Sequence, residues 1–98
     1  MIKHLLNVLR KTANNAGYIS WYANDDVPTM FNIEINDNDS EIILQGDIIK
    51  GVCTAEFNML HNYKLKINKN NLIKFNKNMD NVLTLFYKEG CEEFVLSC

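Results

Sequence analysis

The spacing of apolar positions along this chain alternates between a helical period and a strand period. Over residues 2–16, Ile2, Leu5, Leu6, Leu9, Ala13 and Ala16 recur every three to four positions, and Gly17 follows where a helix C-cap would sit. That spacing predicts an amphipathic helix. Residues 18–23 are aromatic and β-branched and predict a strand, followed by a turn at 24–28 because Pro28 disfavours helical geometry in the residue before it. From Met30 the period becomes two. Phe31, Ile33 and Ile35 alternate with Asn32 and Glu34, which predicts a strand with those three apolar side chains on one face. The polar run 36–40 turns the chain into a partner strand at 41–45. After Gly46-Asp47 a long strand is expected over 49–59, with Cys53, Ala55 and Phe57 on one face and Gly51 marking a bulge. Tyr63, Leu65 and Ile67, alternating with Lys64 and Lys66, predict another strand.

A helical spacing then returns. Leu72, Phe75 and Met79 fall on one side of a second, shorter helix that Asn68 or Asn70 would cap. The segment is rich in asparagine, so packing rather than propensity must hold it. Residues 81–87 and 91–97 read as a closing hairpin, with Gly90 supplying a positive φ in the turn. The expected fold is α+β, a largely antiparallel sheet with two helices on one face, because connections of hairpin length dominate.

Composition narrows the class. With 98 residues and 47% hydrophobic side chains, the chain is expected to form a single globular domain over residues 1–98. No apolar run approaches the roughly 20 residues that cross a bilayer. The N-terminus begins like a signal peptide, but Asn7, Arg10 and Lys11 interrupt its apolar stretch. The expectation is no membrane partner and a cytoplasmic or nuclear location. Cys53, Cys91 and Cys98 are odd in number and lack a C-x-x-C spacing, which points away from a disulfide framework and from a zinc knuckle.

Candidate chemistry is sparse. His4 and His61 have no carboxylate or cysteine at ligand spacing, and the four glycines form no phosphate-binding loop. Residues 37–41 imitate the opening of a calcium loop, yet Ile42 stands where its glycine belongs and Ile48 where its closing glutamate belongs. They read as a hairpin turn. Glu92 and Glu93 beside Cys91 would raise a thiol pKa rather than activate it. No catalytic residue, metal site or cofactor is expected, and the chain does not read as an enzyme.

Charge placement changes the picture. The chain carries ten Lys and Arg against twelve Asp and Glu, and all twelve acids fall outside both expected helices. Lys3, Arg10 and Lys11 lie in the first; Lys69, Lys74 and Lys77 lie in or at the start of the second. Lys3, Asn7, Arg10 and Asn14 follow helical spacing opposite the apolar stripe, and Asn70, Lys74, Lys77 and Asn81 repeat it. Two acid-free ridges of cations and amides suit phosphate oxygens and read no bases.

With this layout the chain resembles one half-domain of a DNA sliding clamp, of the proliferating-cell-nuclear-antigen and checkpoint-clamp superfamily. EIILQGDIIKGVCTAEFNM (41–59) resembles the paired strands before that family's second helix, YKLKINKNNLIKF (63–75) its entry into that helix, and VLTLFYKEGCEEFVLS (82–97) its closing hairpin. The resemblance implies a non-enzymatic scaffold for DNA replication or repair. Its helices would line a channel around duplex DNA, Lys3, Arg10 and Lys11 matching the first basic face and Lys74 and Lys77 the second. It also implies self-association through sheet edges. The alternative is a small protein-binding module of the viral or phage type that occupies a host protein. A third reading, a small-molecule-binding domain, rests on Tyr18, Trp21 and Tyr22.

Overall fold

The computed structural model describes residues 1–22, 26–50 and 58–97. One helix, α1 (Ile2–Asn14), precedes seven strands: β1 (Tyr18–Trp21), β2 (Thr29–Asp37), β3 (Glu41–Lys50), β4 (Asn58–Asn68), β5 (Leu72–Lys77), β6 (Val82–Tyr87) and β7 (Gly90–Ser97). They form a single sheet in the order β4-β3-β2-β1-β7-β6-β5, with every pairing antiparallel. The short β1 therefore splices two meanders, β2-β3-β4 and β5-β6-β7.

This order forces the sheet to curl. Its two edge strands, β4 and β5, are consecutive in the chain and are linked by residues 69–71 alone. Flat, the edges would stand about 29 Å apart at the usual strand spacing, whereas the link reaches at most about 14 Å. The sheet bends until its ends meet at that corner, and its inner face closes on a core. Buried Ile67, Ile42, Leu44, Ile48, Met30, Ile19, Leu96, Phe94, Leu83, Leu85 and Leu72 join Leu5, Leu6 and Leu9 of α1 in one cluster.

The first helix is where its periodicity puts it. Leu5, Leu6, Leu9 and Thr12 are buried while Lys3, Asn7, Arg10 and Asn14 are exposed. Local chemistry does little for it, since Met1 offers no side-chain cap and Lys3 opposes the macrodipole in the first turn. Packing on the sheet carries it. The chain leaves α1 through Ala16, which takes the left-handed conformation (φ 53°) expected of a glycine. Gly17 is required for a different reason: a Cβ there would collide with the Ser97 carbonyl and the Thr12 backbone.

The expected second helix is not formed, and the two-helix α+β layout is overturned with it. Residues 72–77 are edge strand β5, and 78–81 are the turn into β6. A bulge explains the misleading spacing. The register shifts between Leu72 and Lys74, so Leu72 opposite Tyr87 and Phe75 opposite Leu85 both face inward although three positions apart. Met79, the third member of the stripe, is 99% exposed in the turn. β-Branched Ile73 and aromatic Phe75 suit a strand, and β6 offers hydrogen-bonding partners that an isolated short helix would forgo.

Bulges also correct two other expectations. In β2 the register shifts between Phe31 and Glu34, where Asn32 has φ 54°. Ile33 and Ile35 pack against the core, but Phe31, opposite Asp47, faces outward. Gly46-Asp47 does not end a strand, because β3 runs through both. Gly46 is buried, and a Cβ there would lie 2.6 Å from the Phe31 carbonyl oxygen. Cys53, Ala55, Phe57 and the proposed Gly51 bulge lie outside the described residues, as do residues 23–25 and Cys98. Cys91 is an exposed free thiol.

Candidate interaction surfaces

The six cations singled out by spacing do not form one surface. Lys3, Arg10 and Lys11 are exposed on α1. Lys69 is spent inside the fold: its ammonium pairs with the Asp37 carboxylate and donates to the Asn38 carbonyl, while its own N–H donates to Ser40 at 2.9 Å. These contacts latch the β4–β5 corner onto the β2–β3 hairpin turn. Asn38 shapes that turn by accepting the Ser40 and Glu41 N–H groups on its side-chain oxygen.

Lys74 and Lys77 part company because β5 is a strand. Lys74 lies opposite Phe86 on the outer face, with its ammonium 5.0 Å from the ring centroid. Lys77 lies opposite inward-facing Leu83 and borders a groove of about 270 Å³ with Asn7, Val8, Lys11, Thr12, Asn81 and Leu96. That groove is where helix and strand cations converge. Among the described residues, Lys3, Arg10, Lys11 and Lys77 make no ion pair. The other flank of α1 is less basic, since Arg10 borders a hollow there with Glu34.

The outer face carries a feature that the chain order conceals. Val82 pairs with Val95, Val95 with Ser20, Ser20 with Thr29, Thr29 with Ile49, and Ile49 with Met59. Directly paired residues share a face, so these six side chains form one row across six strands, about 24 Å long at normal strand spacing. The row holds no charge. Its two hydroxyls satisfy each other, Ser20 Oγ to Thr29 Oγ1 at 3.0 Å. Val95 and Met59 are exposed, and Tyr22 and Val27 border a hollow of about 210 Å³ at its β6–β7 end. The neighbouring row, Ile48, Met30, Ile19 and Leu96, points inward and is at most 5% exposed.

Two further clusters sit on the sheet. Asp47 accepts from Asn32 Nδ2 at 3.1 Å and lies 3.1 Å from His61 Nδ1. The Asn32 bond, then His61, holds its carboxyl below the usual carboxylate range. These contacts tie together the bulges on either side of Gly46. On the inner face, Trp21 stacks on Tyr63 at 6.2 Å between ring centroids and tilts against Phe94 at 6.3 Å. Strand alternation divides the aromatic triplet: Trp21 faces inward, Tyr18 faces outward beside the uncharged row, and Tyr22 is 77% exposed.

Neither the row nor the Trp21 cluster is legible in the local pattern alone. Alternation within residues 18–21 separates Tyr18 and Ser20 from Ile19 and Trp21, but assembling the row also requires knowing that β1 pairs with β7. No helix among the described residues is long and apolar enough to cross a membrane. No protein-family model matches the chain, and no curated protein or solved structure shows significant similarity to it.

Proposed function

We propose that this protein is a non-enzymatic binding module that engages another protein through the outer face of its sheet. The uncharged row from Met59 to Val82 carries this reading. Antiparallel sheets with one covered face normally present charged or polar side chains on the other. A contiguous uncharged band with exposed Val95 and Met59 towards its two ends marks an interaction surface. Tyr18 and Tyr22 flank it with rings that anchor interfaces well. A photo-crosslinking residue at Val95 tests the proposal against one at Lys88, an exposed position in the β6–β7 turn. Crosslinks to a discrete protein from Val95, abolished by Val82→Asp, are expected. Equal labelling from Lys88 would sink it. If the crosslinked species is a dimer of this chain, the partner is a second copy.

A second reading, attachment to duplex DNA, is favoured by the unpaired cations about α1. It now rests on Lys3, Arg10, Lys11 and Lys77, because Lys69 is neutralised and Lys74 faces the other way. Four contacts, at about 0.9 per phosphate neutralised, predict a slope of log K against log salt of about −3.6 and affinity at the weak end of non-specific binding. Replacing Lys11 and Lys77 with Glu should abolish retention on duplex DNA, whereas Lys74→Glu should leave it unchanged. Equal losses from all three would return Lys74 to the DNA-facing surface.

A further inference from the structure

A cleft of about 480 Å³ opens between Leu65 of β4 and residues 91–94 of β7, lined also by Trp21 and Tyr22. Register explains its composition. Trp21 pairs with Phe94 and Glu92 pairs with Leu85, so Trp21, Phe94 and Glu92 share the inner face of the curled sheet. A carboxylate on that face would be costly to bury. Glu92 nevertheless remains exposed while Phe94, two positions on, is 2% exposed. The curl leaves the core open beside Glu92, and water or a ligand reaches it there.

We propose that this cleft binds an organic cation, an alkylammonium or guanidinium group. Its walls supply aromatic faces: the indole of Trp21, held by Tyr63 and Phe94, with exposed Tyr22 beside it. A cation over an indole gains from the ring quadrupole, more so where water is partly excluded. Its charge is supplied by Glu92, which makes no ion pair among the described residues, whereas Glu93, opposite Thr84, leaves from the outer face. No Lys, Arg or His lines the cleft. The Tyr87 phenol is pushed up to about 12, first by burial and then by the charge of Glu92, so the Glu92 carboxylate lies within electrostatic reach of that ring. An anion would be repelled, and a neutral apolar group would leave the carboxylate without a counterpart. The volume falls within the range of small-ligand sites.

This inference does not depend on the outer row. Trp21 is the only tryptophan, so its emission reports the cleft directly. The full chain is titrated at constant ionic strength with agmatine, with a capped arginine tetrapeptide and with uncharged pentylurea. Saturable quenching by a cation, but not by pentylurea, is expected. Glu92→Gln should weaken it about tenfold, as losing one charge-assisted contact does. Tyr22→Ala should weaken it less, and Glu89→Gln, in the hairpin turn outside the cleft, should not change it. Binding of agmatine equal to that of the tetrapeptide identifies a free small cation as the source; binding of the tetrapeptide alone identifies a side chain of a protein. Indistinguishable titrations by pentylurea, or an unaltered cation titration in a folded Glu92→Gln variant, would overturn the proposal.

Discussion

Residues 2–14 and 70–81 carry the same ladder of amides and cations and a similar spacing of apolar side chains, yet one is a helix and the other an edge strand with its turn. The difference lies in length and neighbours. α1 has 13 residues with Leu5, Leu6 and Leu9 in one stripe, enough to dock three turns on the sheet. Residues 72–77 have only Leu72 and Phe75 to bury and lie beside β6, whose outer backbone groups they satisfy. A single bulge makes a strand imitate a helical spacing of three. The consequence is electrostatic: in a helix Lys74 and Lys77 would share a ridge, whereas in β5 they leave from opposite faces of the sheet.

The comparison can be broken most forcefully at its helical end. Leu9 is 1% exposed, and Leu9→Ala should cost about 2–5 kcal/mol in urea unfolding if α1 is docked. At the other end, Phe75→Ala should cost about 2 kcal/mol, part of the full aromatic truncation because the ring is only partly buried. Met79→Ala should stay within about 0.5 kcal/mol. A comparable loss at Met79 would return the segment to a helix. Ile73 gives a test by sign. In an exposed strand Ile73→Ala should destabilise by about 0.5 kcal/mol, whereas in a helix alanine would stabilise.

One effect is absent at neutral pH. Tyr87 lies opposite Leu72, and its pKa is raised from 10.0 to about 12 by burial and then by Glu92. The folded chain keeps a proton that the unfolded chain loses above pH 10, so stability is unaffected below 10 and falls as pH rises towards 12. Ultraviolet titration should find Tyr87 ionising late. Glu92→Gln should bring that midpoint down. A Tyr87 that titrates near 10 would mean that β5 does not cover it.

Short-range pattern determined a good deal here. The stripe of Leu5, Leu6 and Leu9 dictates α1, and the alternation of Leu83 and Leu85 with Phe94 and Leu96 dictates the closing hairpin, because in each case the partners are near in sequence or the period is long. The 36–40 turn is equally local, written in Asn38 and the residues it caps. Tertiary structure decided the rest. Whether Phe31 faces inward depends on one residue of bulge at Asn32, and a slip of one reverses every side chain beyond it. The same limit applies to Lys74 and Lys77. The uncharged row and the Trp21 cleft exist only because β1 pairs with β7 and the sheet curls until β4 and β5 meet. Those pairings join residues up to 79 positions apart, Tyr18 with Ser97, and no local period encodes a contact at that range.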